Sequence, residues 1–198
     1  MFAARSLTIR RGGRFVLRGV DFTVAAGGLL LVTGANGSGK SSLLRALAGL
    51  LPASGGEILW HNEAVQDFAA HRARLHYLGH LDALKAELSV AEMLGYWSAL
   101  RGAAPPRADL AEQFGLARDM PVRFLSAGQK RRLTLARLTL DDAQLWLLDE
   151  PATALDAKGR ELLVTLVAAH RKKSGVTVIA AHQTSDFTGQ HLVLDEAA

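Results

Sequence analysis

Apolar and polar positions change their period several times along the chain, and those changes mark out its elements. Residues 6–10 alternate as a half-buried strand does, and Gly12 and Gly13 turn the chain. Residues 14–24 alternate again, with Val16, Val20, Phe22 and Val24 as the apolar members. This predicts an antiparallel lobe laid against the next strand, residues 29–32, which is apolar without interruption and so reads as buried on both faces. Residues 42–50 then take helical spacing and stop near Gly49. A loop follows at 52–56, a strand at 57–60, and another strand at 74–78 that ends at Gly79 and His80.

From about 81 to 140 the pattern turns helical. Ser89 with Glu92 three residues on forms a capping box, residues 102–106 break the pattern, and a second helix runs from Asp109 until Gly115 stops it. Strands resume at 144–149, 176–181 and 191–194, with a long helix at 157–173. Strands alternating with helices imply an α/β fold whose sheet is mostly parallel. The expectation is one domain, 1–198, with a helical lobe inserted at about 81–140.

Composition changes this picture little. Hydrophobic residues make up 49% of the chain, enough for one substantial core. The net charge is +4, from 23 basic and 19 acidic side chains. Arg10-Arg11 and Arg171-Lys172-Lys173 are short clusters that suit a solvated face, and no nucleic-acid partner is expected. With no cysteine there is no disulfide framework and no thiolate metal site. The first seven residues lack the apolar run of a secretory signal, and no stretch approaches the length needed to cross a bilayer. Action at a membrane would therefore require other chains.

Candidate chemistry centres on Gly34, Ala35, Asn36, Gly37, Ser38, Gly39, Lys40 and Ser41, a complete GxxxxGK[ST] phosphate loop between a strand and a helix that begins with Ser42. Glycines let the backbone wrap closely, so that loop amides and the helix N-terminus aim donors at phosphate oxygens. Lys40 supplies a cation for the β- and γ-phosphates of ATP, and the Ser41 hydroxyl is a ligand for Mg²⁺. The apolar strand ending in Asp149 and Glu150 brings two carboxylates to the same sheet edge. Asp149 suits Mg²⁺, and Glu150 suits the general base that polarises an attacking water. Leu125-Ser126-Ala127-Gly128-Gln129 opens a helix, which is either an anion site or an ordinary capped start.

That last pentapeptide resembles the signature of the ABC-type ATPases, with Ala127 replacing a glycine. The phosphate loop, this signature, the acidic strand end, Ala154-Leu155-Asp156 and His182 follow in the order of that family, across residues 4–195. The resemblance implies a P-loop ATPase whose homodimer sandwiches two ATP molecules. Ser126, Ala127, Gly128 and Gln129 of one subunit would then meet the γ-phosphate bound at Lys40 of the other, Asp156 would cross the interface, and His182 would assist catalysis. Two positions depart from the family pattern. Arg11 stands where an aromatic usually stacks on adenine, with Phe15 as an alternative, and His80 stands where glutamine usually joins the lobes. His80, with Ala83, Leu84, Lys85 and the residues from Leu125 to Arg132, is similar to the ATPase subunits of the cytochrome c maturation system. That implies separate transmembrane subunits, a peripheral place on the cytoplasmic face of the inner membrane, and haem export, with no haem bound by this chain itself. A soluble ATPase of iron–sulfur assembly, or an ABC ATPase for another substrate, stands as the alternative.

Overall fold

In a computed structural model that describes residues 1–182 and 185–194, the early strands pair as their alternation requires. β1 (Phe2–Arg11) and β2 (Arg14–Val24) form an antiparallel hairpin, and β4 (Gly55–Trp60) lies on the other side of β1. With the short β5 (Glu63–Ala64) they make a four-stranded sheet in the order β2-β1-β4-β5. The phosphate-loop strand is β3 (Leu29–Gly34). It belongs to a second, parallel sheet with β6 (Leu75–Leu78), β7 (Leu145–Asp149), β8 (Val176–Ala180) and β9 (Gln190–Leu194), in the order β6-β7-β8-β3-β9. The antiparallel lobe makes no ladder with β3. It meets it through side chains, in one apolar core that joins Phe2, Leu7 and Ile9 to Leu30, Val32, Leu145 and Val178.

α1 (Lys40–Leu47) contributes Leu43, Leu44 and Leu47 to that core, each fully buried. Burying side chains of this size is worth about 1.5–3 kcal/mol each, so the helix that carries Lys40 is held chiefly by its apolar face. α2 (Phe68–Ala73) was not legible in the periodicity. It is a six-residue helix, too short to show a stripe, and Asp67 starts it by accepting from the amides of Ala69 and Ala70.

The chain divides into two compact units. The first contains both sheets: Met1–Gly79, Gln144–Glu150 and the residues from Val164 onward. The second is His80–Ala143 with Pro151–Leu163, and the expected insert 81–140 lies within it. Helix is sparser there than the pattern suggested: α3 (Val90–Leu100), α4 (Leu110–Gln113) and α5 (Ala127–Ala136), with short 3-10 turns at Val122–Phe124 and Arg137–Thr139. Residues 81–88 form no helix. The first helix begins only after Ser89, whose hydroxyl accepts from the Glu92 amide while the Glu92 carboxylate accepts from the Ser89 amide, the reciprocal box expected. α6 (Ala157–Lys172) supplies its start, through Leu163, to the second unit and its remainder to the first.

Buried histidines in the first unit make stability depend on pH, and His170 shows how. His170, near the end of α6, stacks on Trp146 with ring centroids 4.0 Å apart and planes 7° from parallel. Its Nε2 lies 3.2 Å from the Val176 carbonyl, so the neutral ring donates there. Burial lowers its pKa to about 4, opposed by the bond to the Val176 carbonyl and assisted by His76 and Lys173. The unfolded chain therefore binds a proton that the folded chain refuses between the ordinary histidine value and about 4. Stability is full above that window and falls as pH drops through it, by roughly 2–4 kcal/mol from this group. Urea unfolding at pH 7 and pH 4.5 should show the loss, and His170→Gln should remove its share of the difference, with buried His71, whose pKa burial also lowers, carrying a further share. Equal slopes in the two proteins would assign the acid sensitivity elsewhere.

Candidate functional site

The first cluster of candidate residues lies at the carboxyl edge of the parallel sheet, within one unit. β3 delivers Gly34 to the loop and α1 begins at Lys40. The loop is packed against β2: a Cβ at Gly39, where φ is +97°, would come within 2.8 Å of Leu17 and 3.1 Å of Val16, so only glycine fits this contact and this backbone without strain. Lys40 is buried, and its Nζ donates to the carbonyls of Gly34 at 2.8 Å and Ala35 at 2.9 Å. The ammonium is thus held inside the curve of the loop. Ser38 Oγ is buried there too, with no hydrogen-bond partner among the described residues. Ala35, Asn36, Gly37 and Ser41 face solvent, while Ser42 is buried at the start of the helix. A cationic cradle with an unspent buried hydroxyl and exposed amides fits a polyphosphate.

β7 pairs with β8 so that Asp149 sits opposite Ala180. Asp149 is buried, at 2% exposure. Glu150 follows with φ at +48°, a backbone that non-glycine residues seldom adopt, and its amide donates to the Ala180 carbonyl at 2.8 Å. The chain beyond β8 is fixed in turn by the Ala181 amide, which donates to Val32 of β3 at 3.1 Å. These bonds set His182 beside Glu150, with Nε2 3.6 Å from Oε1. Glu150 is partly exposed and His182 about half exposed, so both reach solvent. Asp149, Glu150, His182 and the phosphate loop therefore share one edge, where the strand pattern placed the two carboxylates and the family resemblance placed His182. The carboxylate of Asp149 and the hydroxyl of Ser41 are oxygen donors of the kind a hard divalent cation takes.

Arg11 lies at the end of β1, exposed, opposite Arg14 across the hairpin. Phe15, the alternative aromatic, is engaged by two guanidiniums, Arg10 at 4.7 Å and Arg18 at 4.0 Å from its centroid.

A second cluster belongs to the other unit. Ser126 caps α5: its Oγ accepts from the Gln129 amide at 3.2 Å, and Gln129 Oε1 accepts from the Ser126 amide at 2.9 Å. Ser126 and Gln129 thus form a capping box, a structural role that the S-x-x-Q spacing already carried. Ala127 is exposed beside it, at the first turn. Gly128 is required by close approach, since a Cβ there would stand 2.9 Å from the Ala154 carbonyl. That contact ties the signature to the Ala154-Leu155-Asp156 loop, where Ala154 itself has φ at +64°. Asp156 Oδ1 accepts from the Gly159 amide at 2.8 Å and so caps α6, a role the sequence reading did not assign. His80 is exposed, just beyond β6, at the start of this unit.

Residues 17–153 match the profile of the ABC transporter family. The whole chain aligns at 48% identity with 95% of the cytochrome c biogenesis ATP-binding export protein CcmA of Paramagnetospirillum magneticum. It aligns at 47% identity with 87% of the protein of the same name from Rhodospirillum rubrum. The chain belongs to the ABC transporter ATP-binding family. Its fold is accordingly shared with solved members. A putative ABC transporter ATP-binding protein from Pyrococcus furiosus superposes with a TM-score of 0.85 at 21% identity, over 98% of this chain and 96% of that one. An ATP-binding cassette solved as a dimer in a post-hydrolysis state with ADP and Pi gives 0.79 at 20% identity, over 92% and 88%. Family membership makes the chain an ATPase that binds ATP. No helix among the described residues is long and apolar enough to cross a membrane.

Proposed function

We propose that the chain is the ATP-hydrolysing subunit of a cytochrome c biogenesis exporter, acting on separate transmembrane subunits from the cytoplasmic face of the inner membrane, with haem the transported cargo. The 48% identity along the full chain to a cytochrome c biogenesis export protein is the observation that carries this reading. The two relatives reported above both carry the cytochrome c biogenesis name, which favours this reading over the iron–sulfur and other-substrate alternatives.

In this reading Lys40 and the loop amides bind the β- and γ-phosphates. Ser41 and Asp149 would hold Mg²⁺, which when bound would supply positive charge against the phosphate oxygens. Glu150 takes the proton from the attacking water, and His182, within reach of its carboxylate, orients it. Arg11 offers its guanidinium plane to the adenine. Two copies pair so that Ser126, Ala127, Gly128 and Gln129 of one face the γ-phosphate held by the other, with Asp156 at the interface. His80 passes the nucleotide state to the docked membrane subunits, and haem is handled by those partners.

Affinity purification from detergent-solubilised membranes should recover polytopic membrane proteins with the chain. Deleting its gene should abolish covalent haem staining of periplasmic c-type cytochromes, restored by the wild-type chain and not by Glu150→Gln. Normal haem staining in the deletion strain would overturn the cytochrome reading while leaving the ATPase intact.

A further inference from the structure

Within the helical unit one charged side chain is almost completely enclosed. Arg131, on α5, is 4% exposed. Its Nη1 donates to Asp82 Oδ1 at 2.9 Å and its Nε donates to the Pro151 carbonyl at 3.1 Å. A guanidinium holds such donors in a rigid fork, so the two partners are fixed relative to each other, which a point charge does not achieve. The partners are distant in sequence and each is placed beside a chemically important residue. Asp82 follows His80 by two positions, and Pro151 is joined by a peptide bond to Glu150.

Both attachment points also adjoin unusual backbone. Ala83, next to Asp82, has φ at +49°, and Glu150, next to Pro151, has φ at +48°. Non-glycine residues persist in this region only where the surroundings over-determine them. On the Pro151 side the carbonyl bond to Arg131 supplies one such constraint. On the other side the Asp82 carboxylate is bound to the same fork. α5 itself is pinned at its start by the Ser126–Gln129 capping box, so Arg131 projects from a fixed helix.

We propose that Arg131 is a positioning residue for hydrolysis: its guanidinium ties the loop after His80, through Asp82, to the Pro151 carbonyl, and so sets the backbone from which Glu150 projects. The proposal rests on the reading of Glu150 as general base. A change in the 80–85 loop reaches the residue after the base through a single side chain. ATP binding, which uses Lys40 and the phosphate loop, does not pass through it.

The test separates this role from that of a structural ion pair. Arg131→Met leaves Asp82 without its cation and the Pro151 carbonyl without its donor. Arg131→Lys keeps the charge and loses the fork. Asp82→Asn/Arg131→Met removes both charges together, which relieves the buried imbalance. Steady-state ATPase activity and thermal midpoint are measured for all three in the full-length chain. In Arg131→Met and Arg131→Lys, kcat should fall about tenfold with KM for ATP within about twofold of wild type. The double variant should regain thermal stability and keep the low kcat. Recovery of kcat together with the thermal midpoint in the double variant would overturn the proposal, as would a raised KM at unchanged kcat. Glu150→Gln is assayed alongside: if it hydrolyses ATP normally, the base assignment fails by itself, whatever the Arg131 variants do.

Discussion

Glu150→Gln is expected to bind ATP as the wild type does and to hydrolyse it slower by a factor on the order of 10²–10⁴. The amide has the shape of the carboxylate and leaves the backbone bond from the Glu150 amide to Ala180 in place. Lys40 and the loop are untouched, so the phosphates keep their cation. What is lost is the ability to accept a proton from water, because an amide is not a base at neutral pH. The neighbouring His182 ring, 3.6 Å from the carboxylate, loses its anionic partner in the same step. Filter binding of labelled ATP and a phosphate-release assay on the same preparation measure the two properties separately. The bound state should accumulate as a dimer on size exclusion, since hydrolysis no longer ends it. If phosphate release stays near the wild-type rate, the base lies elsewhere, and His182→Ala becomes the variant to assay.

The site at the sheet edge was legible because each of its parts is local. A glycine-rich loop between an apolar strand and a helix, and an apolar strand ending in two carboxylates, can be read from single stretches. Parallel-sheet topology then brings Asp149 and the loop together without further information. The left-handed backbone at Glu150 had no such signal: nothing in the residue type announces it, and it occurs just past the end of β7, where the Glu150 amide still pairs with Ala180. Ser126, Gln129 and Asp156 were read through their resemblance to family motifs, and their hydrogen bonds give them a second, local explanation as helix caps. Ser126 is thus a helix cap as well as the proposed contact to a partner's γ-phosphate. Replacing it removes a cap worth about 1 kcal/mol, besides whatever it does across a dimer.

Elsewhere the pattern failed for physical reasons. Residues 81–88 carry Leu81, Leu84 and Leu88 at spacings that fit a helix, yet Leu81 is 84% exposed and the segment stays irregular. An apolar period predicts a helix only where another surface covers the stripe. Arg131 was invisible for the converse reason. A buried arginine in a run of basic residues reads as one more solvated charge until its partners, Asp82 and the Pro151 carbonyl, are brought to it from distant stretches by the fold. His170 and Trp146 meet in the same way, one from a helix and one from a strand.

Lys40→Ala is expected to abolish measurable ATP binding at micromolar nucleotide, and hydrolysis with it. The Lys40 ammonium is enclosed by the Gly34 and Ala35 carbonyls. It is therefore positioned in advance, and the polyphosphate gains its charge without having to order a flexible side chain. Charge-assisted hydrogen bonds of this kind contribute about 1.5–3 kcal/mol each, so losing contacts to two phosphates weakens binding by roughly two to four orders of magnitude. The fold should survive, since the core beneath is made by Leu43, Leu44 and Leu47 rather than by the lysine. Isothermal titration with ATP, alongside thermal unfolding without nucleotide, distinguishes the two effects. The variant also probes the dimer when mixed with Ser126→Arg, which keeps its phosphate loop and carries a bulky cation in its signature. A mixed dimer contains one site with neither change, built from the Lys40 of one chain and the Ser126 of the other. Hydrolysis should return in the mixture, although each variant alone is inactive. If Ser126→Arg alone hydrolyses ATP at the wild-type rate, the signature does not meet the partner's phosphate. If Lys40→Ala alone binds ATP normally, the loop is not the phosphate site.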